Sequence, residues 1–144
     1  MLIALALIAA AIGLNTGLAQ WDPRSGSDIA LLALRALFVP ALGEELVFRA
    51  AIVPARGESR RPAAWIALST LLFTLWHVAE TTFLPGAAAT FLRADFLALA
   101  ALLGLLCALL RHRSGSIWTA VLLHWAFVIA WQGWFGGLSF ADAL

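Results

Sequence analysis

The stretch that decides the fold is residues 29–55, IALLALRALFVPALGEELVFRAAIVPA. Its length and apolar character meet the requirement for a membrane-spanning helix, which needs about 20 largely apolar residues. Near its middle it carries the charged sequence Gly43-Glu44-Glu45-Leu46-Val47-Phe48-Arg49. Because ionisable groups inside a bilayer are costly and are usually retained for a function, this stretch predicts both a membrane span and a candidate site.

The composition of the whole chain also indicates a membrane protein. Of 144 residues, 63% are hydrophobic and 12% are charged, which is about half the charge fraction of a soluble domain. A chain of this length could not bury so much apolar surface in one core, so lipid must be the solvent for most of it. The nine basic residues are dispersed arginines, and nothing in their placement predicts nucleic-acid binding.

Five apolar stretches predict an all-α, polytopic bundle of about five spanning helices. They are residues 1–19, 28–55, 64–82, 95–110 and 116–134, with turn-forming residues between them. The first stretch lacks the basic region of a cleavable signal peptide, so we predict an N-terminal transmembrane helix that can serve as a signal-anchor. Residues 28–134 are predicted to form the functional core, and residues 135–144 a short C-terminal tail.

The placement of arginines predicts the orientation in the membrane. The loop after the second stretch holds Arg56, Arg60 and Arg61, and the loop after the fourth holds Arg111 and Arg113. With five spans these loops lie on one side, which the positive-inside rule assigns to the cytoplasm. We therefore predict an integral protein of a bacterial plasma membrane, with its N-terminus in the cytoplasm and its C-terminus outside.

Helix geometry predicts different roles for the two neighbouring glutamates, which point about 100° apart around the axis. Glu45 and Arg49 stand at i and i+4 and can form a structural ion pair. Glu44 has Phe48 at that spacing, so its carboxylate stays available as a general base. The alternative interpretation of the whole group is a salt bridge that only packs helices together.

Two histidines lie within other predicted spans. His77 follows Phe73 by four residues and shares its helix face, and His124 lies in the last stretch. Either histidine alone would more often be a hydrogen-bonded packing residue, but with an unpaired Glu44 on a third span they predict a catalytic site. Glu44 would lie about 13 Å below the outer interface, which places the site in the outer half of the bilayer. His112, between two arginines in a loop, is predicted to be solvated.

Taken in order, Glu44-Glu45-x-x-x-Arg49, Phe73-x-x-x-His77 and His124 resemble the motifs of the CaaX protease and bacteriocin-processing (CPBP, or Abi) family. These are glutamic-type intramembrane proteases, and the resemblance covers about residues 30–134. It implies that Glu44 activates the attacking water, that His77 assists this water, and that His124 helps stabilise the oxyanion. It implies no cofactor, and a membrane-anchored protein or peptide as substrate, cut near its C-terminus or its anchor.

The sequence departs from this family at one position. The family usually has asparagine four residues after the last histidine, where this chain has Val128. Gln132, one turn further, is a candidate replacement as oxyanion donor. The departure also supports an alternative, in which the chain is a catalytically impaired scaffold or immunity protein with the same fold.

The substrate type and metal dependence stay open at this point. Family members trim prenylated C-termini, cut sorting signals or process bacteriocins, and a small chain with an outward site favours the sorting type. Glu44, His77 and His124 also have the composition of a catalytic zinc site. However, the sequence lacks His-Glu-x-x-His spacing, and it shows no carboxylate that would orient either histidine. A proton or ion pathway through the same residues is a further alternative.

Overall fold

The computed structural model describes residues 11–138, and within them the chain is all-helical, as predicted, apart from one isolated β-bridge. In chain order the helices are α1 (Gly26–Ala36), π1 (Leu37–Glu44), π2 (Leu46–Ala50), α2 (Pro62–Glu80), α3 (Ala88–Phe91), α4 (Ala94–Ser114) and α5 (Trp118–Trp134), with a 3-10 turn at Pro85–Ala87. Residues 11–16 are also helical. Most of the predicted N-terminal helix and of the predicted tail lies outside the described residues.

The charged motif lies in a helix that changes its winding. The chain is α-helical up to Ala36 and then follows the π pattern, as in the bond from the Ala51 N–H to the Leu46 carbonyl at 3.2 Å. Pro40 lies inside π1. Because proline lacks an N–H and clashes with the carbonyl four residues before it, regular α-helix is unfavourable there. Wider turns of this kind are rare and are frequent at functional sites, and here they carry Glu44.

Two helices, α2 and α4, are long and apolar enough to cross a membrane. The expectation of about five such helices is not met by the same test. The second predicted span divides where π1 begins, α5 has 17 residues, and the first span lies mostly outside the described residues. The outward face of α2 is strongly apolar, and its large exposed hydrophobic residues are Trp65, Leu68, Leu71, Leu72 and Leu75. An apolar face of this extent fits contact with lipid.

Hydrogen bonds join helix ends to neighbouring segments on two opposite sides of the bundle. On one side, the Asp22 N–H donates to the Trp134 carbonyl at 2.9 Å, which joins the start of α1 to the end of α5. On the other side, His112 Nδ1 donates to the Pro54 carbonyl at 2.8 Å, which joins the end of α4 to the segment after π2. His112 is half-buried, so the prediction that it is solvated was wrong. A residue between two arginines can still find a backbone acceptor from another segment.

Close packing of α4 on α2 depends on Gly104. An added Cβ there would lie 2.9 Å from Phe73 Cδ1 and 3.5 Å from Arg49 Nη2. Phe73 is fully buried in a cluster with Phe48, Phe96 and Ala100. The phenyl ring has little room to move, because neighbouring aromatic side chains surround it.

Replacing Gly104 by alanine is therefore expected to destabilise the protein by about 1–3 kcal/mol, the usual cost of overpacking a core. The measurement is the free energy of unfolding in detergent. Gly133→Ala is the control, because its Cβ would meet only Ile29 Cγ1, at an ordinary 3.8 Å. Equal stability of the two variants would show that the contact between Gly104 and Phe73 is not tight.

Candidate active site

Glu45 lies at the centre of a buried polar cluster that joins three residues. Its Oε1 accepts a hydrogen bond from His124 Nδ1 at 2.9 Å, and its Oε2 lies 3.1 Å from Arg49 Nε. The side chains of Glu45 and Arg49 are 0% exposed, and that of His124 is 3% exposed. Glu45 and Arg49 are thus in contact, as their spacing predicts, and His124 is a third member that the spacing could not predict.

Arg49 joins this cluster to the hydrophobic core. Its guanidinium carbon lies 4.2 Å from the centre of the Phe73 ring, and Nη2 donates to the Gly104 carbonyl at 3.3 Å. A planar guanidinium can form an ion pair, stack on an aromatic ring and donate to a carbonyl at once. Arg49 therefore supports the site from within the core and lines neither cavity described below, whereas Phe73 also lines the apolar one.

Glu44 lies on the other side of the His124 ring. Its Oε2 is 3.9 Å from His124 Nε2, and its side chain is 13% exposed. Within residues 11–138 this buried oxygen has no hydrogen-bond partner. The imidazole therefore lies between two carboxylates, with Nδ1 towards Glu45 and Nε2 towards Glu44. The bond to Glu45 fixes a ring proton on Nδ1.

His77 approaches the same space from α2. Its Nδ1 donates to the Phe73 carbonyl at 2.9 Å, one turn earlier in the helix. The ring packs against three phenylalanines, with centroid distances of 4.9 Å to Phe73, 5.5 Å to Phe91 and 5.4 Å to Phe96. Because the ring proton is on Nδ1, where it is donated to the carbonyl, Nε2 of the neutral ring carries no proton and can accept a hydrogen bond.

Two cavities meet at the histidines. The first has a volume of about 660 Å³ and is lined by several polar side chains, including Glu44, His77, Glu80, His124, Gln132, Arg24, Asp28 and Arg35. The second, of about 480 Å³, is lined almost entirely by apolar residues, which come from residues 13–19, from α2, α4 and α5, and from Phe135. His77 and His124 line both. Cavities of this size accommodate small ligands or short peptide segments.

Glu80 and Trp76 belong to this site, although the sequence analysis did not assign them to it. Glu80 lies three residues after His77 and lines the same cavity. The Trp76 indole approaches the carboxylates of both Glu44 and Glu80 without reaching full hydrogen-bond geometry. The i,i+3 spacing from His77 was the signal that could have identified Glu80.

Gln132 lines the polar cavity, as does Val128. The Gln132 amide donates from Nε2 to the Leu138 carbonyl at 2.8 Å. One of its two amide hydrogens is therefore already engaged in holding the turn after α5. This contact weakens the prediction that Gln132 replaces the missing asparagine.

The arrangement of carboxylates and histidines bears on the metal-dependent alternative. Across the part of the chain that the structure describes, no three His, Cys, Asp or Glu side chains come together in a metal-binding group. The sequence-based expectation that no carboxylate orients either histidine was nevertheless wrong, because Glu45 binds His124 Nδ1. That contact comes from an element 79 residues away, which no local spacing reveals.

An apolar helical bundle with a glutamate and two histidines around an internal cavity is the arrangement expected of an intramembrane hydrolase. The family model for Rce1-like type II CAAX prenyl endopeptidases matches residues 26–130. The chain belongs to this family of membrane proteases, which confirms the resemblance drawn from its motifs. No curated protein and no solved structure matches the chain.

Proposed function

We propose that the chain is an intramembrane endopeptidase that uses Glu44 to activate water against a peptide bond of a membrane-anchored protein or peptide. The bond lies near the C-terminus or the membrane anchor of the substrate. The observation that carries this proposal is the buried Oε2 of Glu44, which lies 3.9 Å from His124 Nε2. It has no hydrogen-bond partner within residues 11–138 and borders a cavity of about 660 Å³.

The reaction would proceed through direct attack of water on the carbonyl carbon. Glu44 takes one proton from the water as the new carbon–oxygen bond forms. His77 accepts the other water hydrogen at Nε2 and so orients the nucleophile. When the tetrahedral intermediate collapses, the carbon–nitrogen bond breaks and the proton held by Glu44 passes to the leaving amine.

His124 would stabilise the negative charge on the carbonyl oxygen. Its Nδ1 proton is engaged by Glu45 at 2.9 Å, so Nε2 donates only when the ring carries a second proton. Glu45 is then a positioning residue, because it fixes the ring orientation and the location of one proton. Arg49 in turn holds Glu45 in place.

The membrane orientation supports an outward site. The cavity that contains Glu44 is lined by Asp28 near the start of α1, Glu80 at the end of α2 and Leu138 after α5. These positions lie on the side opposite the two arginine-rich loops, which hold Arg56, Arg60 and Arg61 and Arg111 and Arg113. The positive-inside rule then puts the cavity in the outer half of a bacterial plasma membrane, with the N-terminus in the cytoplasm and the C-terminus outside. We retain about five spans, with α1, π1 and π2 forming one of them.

The two cavities suggest where the two parts of a membrane-anchored substrate would bind. The polar cavity suits the peptide main chain around the scissile bond, and the apolar cavity suits a hydrocarbon or an apolar anchor segment. A test uses protein reconstituted in vesicles with two probes, a farnesylated peptide ending in a CAAX sequence and a peptide with a C-terminal transmembrane anchor. We expect cleavage of at least one, with the anchored peptide favoured by the outward site.

The second candidate function is a scaffold or immunity protein without catalysis. Val128 favours it, since this residue lines the cavity and offers no hydrogen-bond donor. It predicts that neither probe is cleaved at any protein concentration, whereas the protease proposal requires a product that increases with protein concentration.

Treatment with EDTA is expected to leave the rate of cleavage unchanged, because the geometry of Glu44, His77 and His124 provides no metal-binding group. The measurement is product formation by the reconstituted protein before and after chelation. A loss of activity that is restored by added zinc would instead support the metal-dependent alternative.

A further inference from the structure

Trp131 carries a buried hydrogen-bond donor at the wall of the site. Its indole Nε1 is inaccessible and has no hydrogen-bond partner among residues 11–138. A buried indole N–H normally finds an acceptor, because leaving it unpaired is costly. Trp125, on the same helix, differs from Trp131 in this respect, because its Nε1 donates to the Ala33 carbonyl at 2.7 Å.

Trp131 lies where a substrate would pass. It lines both the polar and the apolar cavity, as do His77 and His124. It follows His124 by seven residues, so the two share one face of α5. Side chains of a helix lean towards its N-terminus, which directs the indole back towards His124 and Val128.

The indole is held in place on two sides. Its ring centre lies 5.4 Å from that of Phe96, which itself contacts His77. On the other side the chain turns back after α5, and the Gly137 N–H donates to the Trp131 carbonyl at 2.9 Å. A Cβ on Gly137 would lie 2.5 Å from the indole, so only glycine permits this approach. The donor is therefore pre-oriented without any partner from the protein.

Resting on the proposed function, we propose that the Trp131 indole N–H donates a hydrogen bond to a main-chain carbonyl of the peptide substrate. The indole can donate but cannot accept, and a peptide chain presents an acceptor at every residue. Of the neighbouring positions, Val128 has no side-chain donor, and one of the two amide hydrogens of Gln132 is already bound to the Leu138 carbonyl. Trp131 would thus hold the peptide beside the catalytic groups at the junction of the two cavities.

The first test replaces Trp131 by benzothienylalanine, which keeps the ring shape and substitutes sulfur for the N–H group, and by phenylalanine. We expect kcat/KM for the cleaved probe to fall about tenfold in both variants, the effect of one lost hydrogen bond. Trp125→Phe is the matched control. It should lower stability through loss of the bond to Ala33 and change kcat/KM less than twofold. Full activity of the benzothienylalanine variant would overturn the proposal.

The second test observes the donor directly. In the Glu44→Gln protein, the ¹⁵N-labelled indole signal of Trp131 should move downfield when the farnesylated or the anchored peptide is added, and an unmoved signal would overturn the proposal.

The failure of the proposed function and the failure of the role proposed for Trp131 can be distinguished. If Glu44→Gln cleaves as fast as the wild-type protein, the proposed mechanism is wrong. If the Glu44→Gln protein is inactive but the variant with benzothienylalanine at position 131 is fully active, only the proposed role of Trp131 is wrong.

Discussion

Replacing Glu44 by glutamine is expected to lower kcat/KM by about 10³-fold or more, within the range attributed to a general base and its water. Glutamine has nearly the same shape but cannot accept a proton from water. The variant should remain folded, because Glu44 Oε2 has no hydrogen-bond partner among the described residues and Glu45 is the glutamate that balances Arg49. The measurement is the cleavage rate of reconstituted protein at matched concentrations, together with its unfolding midpoint in detergent.

Glu58→Gln is the matched control for this prediction. Glu58 lies exposed in the loop before α2 and accepts a hydrogen bond from the nearby Ala55 N–H. We expect the cleavage rate to be unchanged. Similar rates for the two variants and the wild-type protein would contradict the assignment of Glu44 as the base.

The Glu45→Gln variant is expected to lose both stability and activity. Removing the carboxylate leaves Arg49 charged and buried without a counter-ion, which costs about 3–5 kcal/mol. It also replaces the carboxylate that accepts from His124 Nδ1 at 2.9 Å by a neutral amide, whose oxygen is a weaker acceptor for the ring. Loss of such an orienting partner typically reduces activity by about 10- to 100-fold. The measurements are the free energy of unfolding and kcat/KM corrected for the folded fraction.

A double variant separates the two effects of Glu45. Glu45→Gln combined with Arg49→Met removes the unpaired charge and should recover most of the lost stability, because an apolar side chain can replace a buried ion pair. It should not recover activity, since His124 still lacks its carboxylate. Full recovery of kcat/KM in the double variant would mean that Glu45 serves only to neutralise Arg49.

Local helix geometry made part of this site predictable. The i,i+4 spacing of Glu45 and Arg49 is a property of one helix, and the structure brings the two side chains to 3.1 Å. The spacing of Phe73 and His77 likewise leads to the bond between His77 Nδ1 and the Phe73 carbonyl. Spacing could not reveal that His124 binds Glu45, because that contact depends on how α5 packs against the helical segment that begins with π1.

The change from α to π turns within the second predicted span was the main feature of the fold that the sequence did not predict. Length and apolar character predict a helix over residues 28–55, but they do not distinguish α from π turns. Pro40 was the local signal of irregularity, and it lies inside π1, which runs from Leu37 to Glu44. Trp131 was missed for a related reason. From the sequence, a tryptophan near a helix end is expected to belong to the aromatic belt at the membrane interface. Only the structure shows that Trp131 packs against Phe96 and Gly137 and faces the cavities.

The most direct test of the central claim is a single-turnover cleavage in water enriched in ¹⁸O, followed by mass spectrometry of the newly formed carboxylate. If Glu44 activates water for direct attack, the wild-type product carries one ¹⁸O atom and the Glu44→Gln protein gives no product in the same time. An unlabelled product would indicate that a side-chain carboxylate attacks the carbonyl carbon and supplies its own oxygen. Equal amounts of labelled product from both proteins would exclude Glu44 as the base.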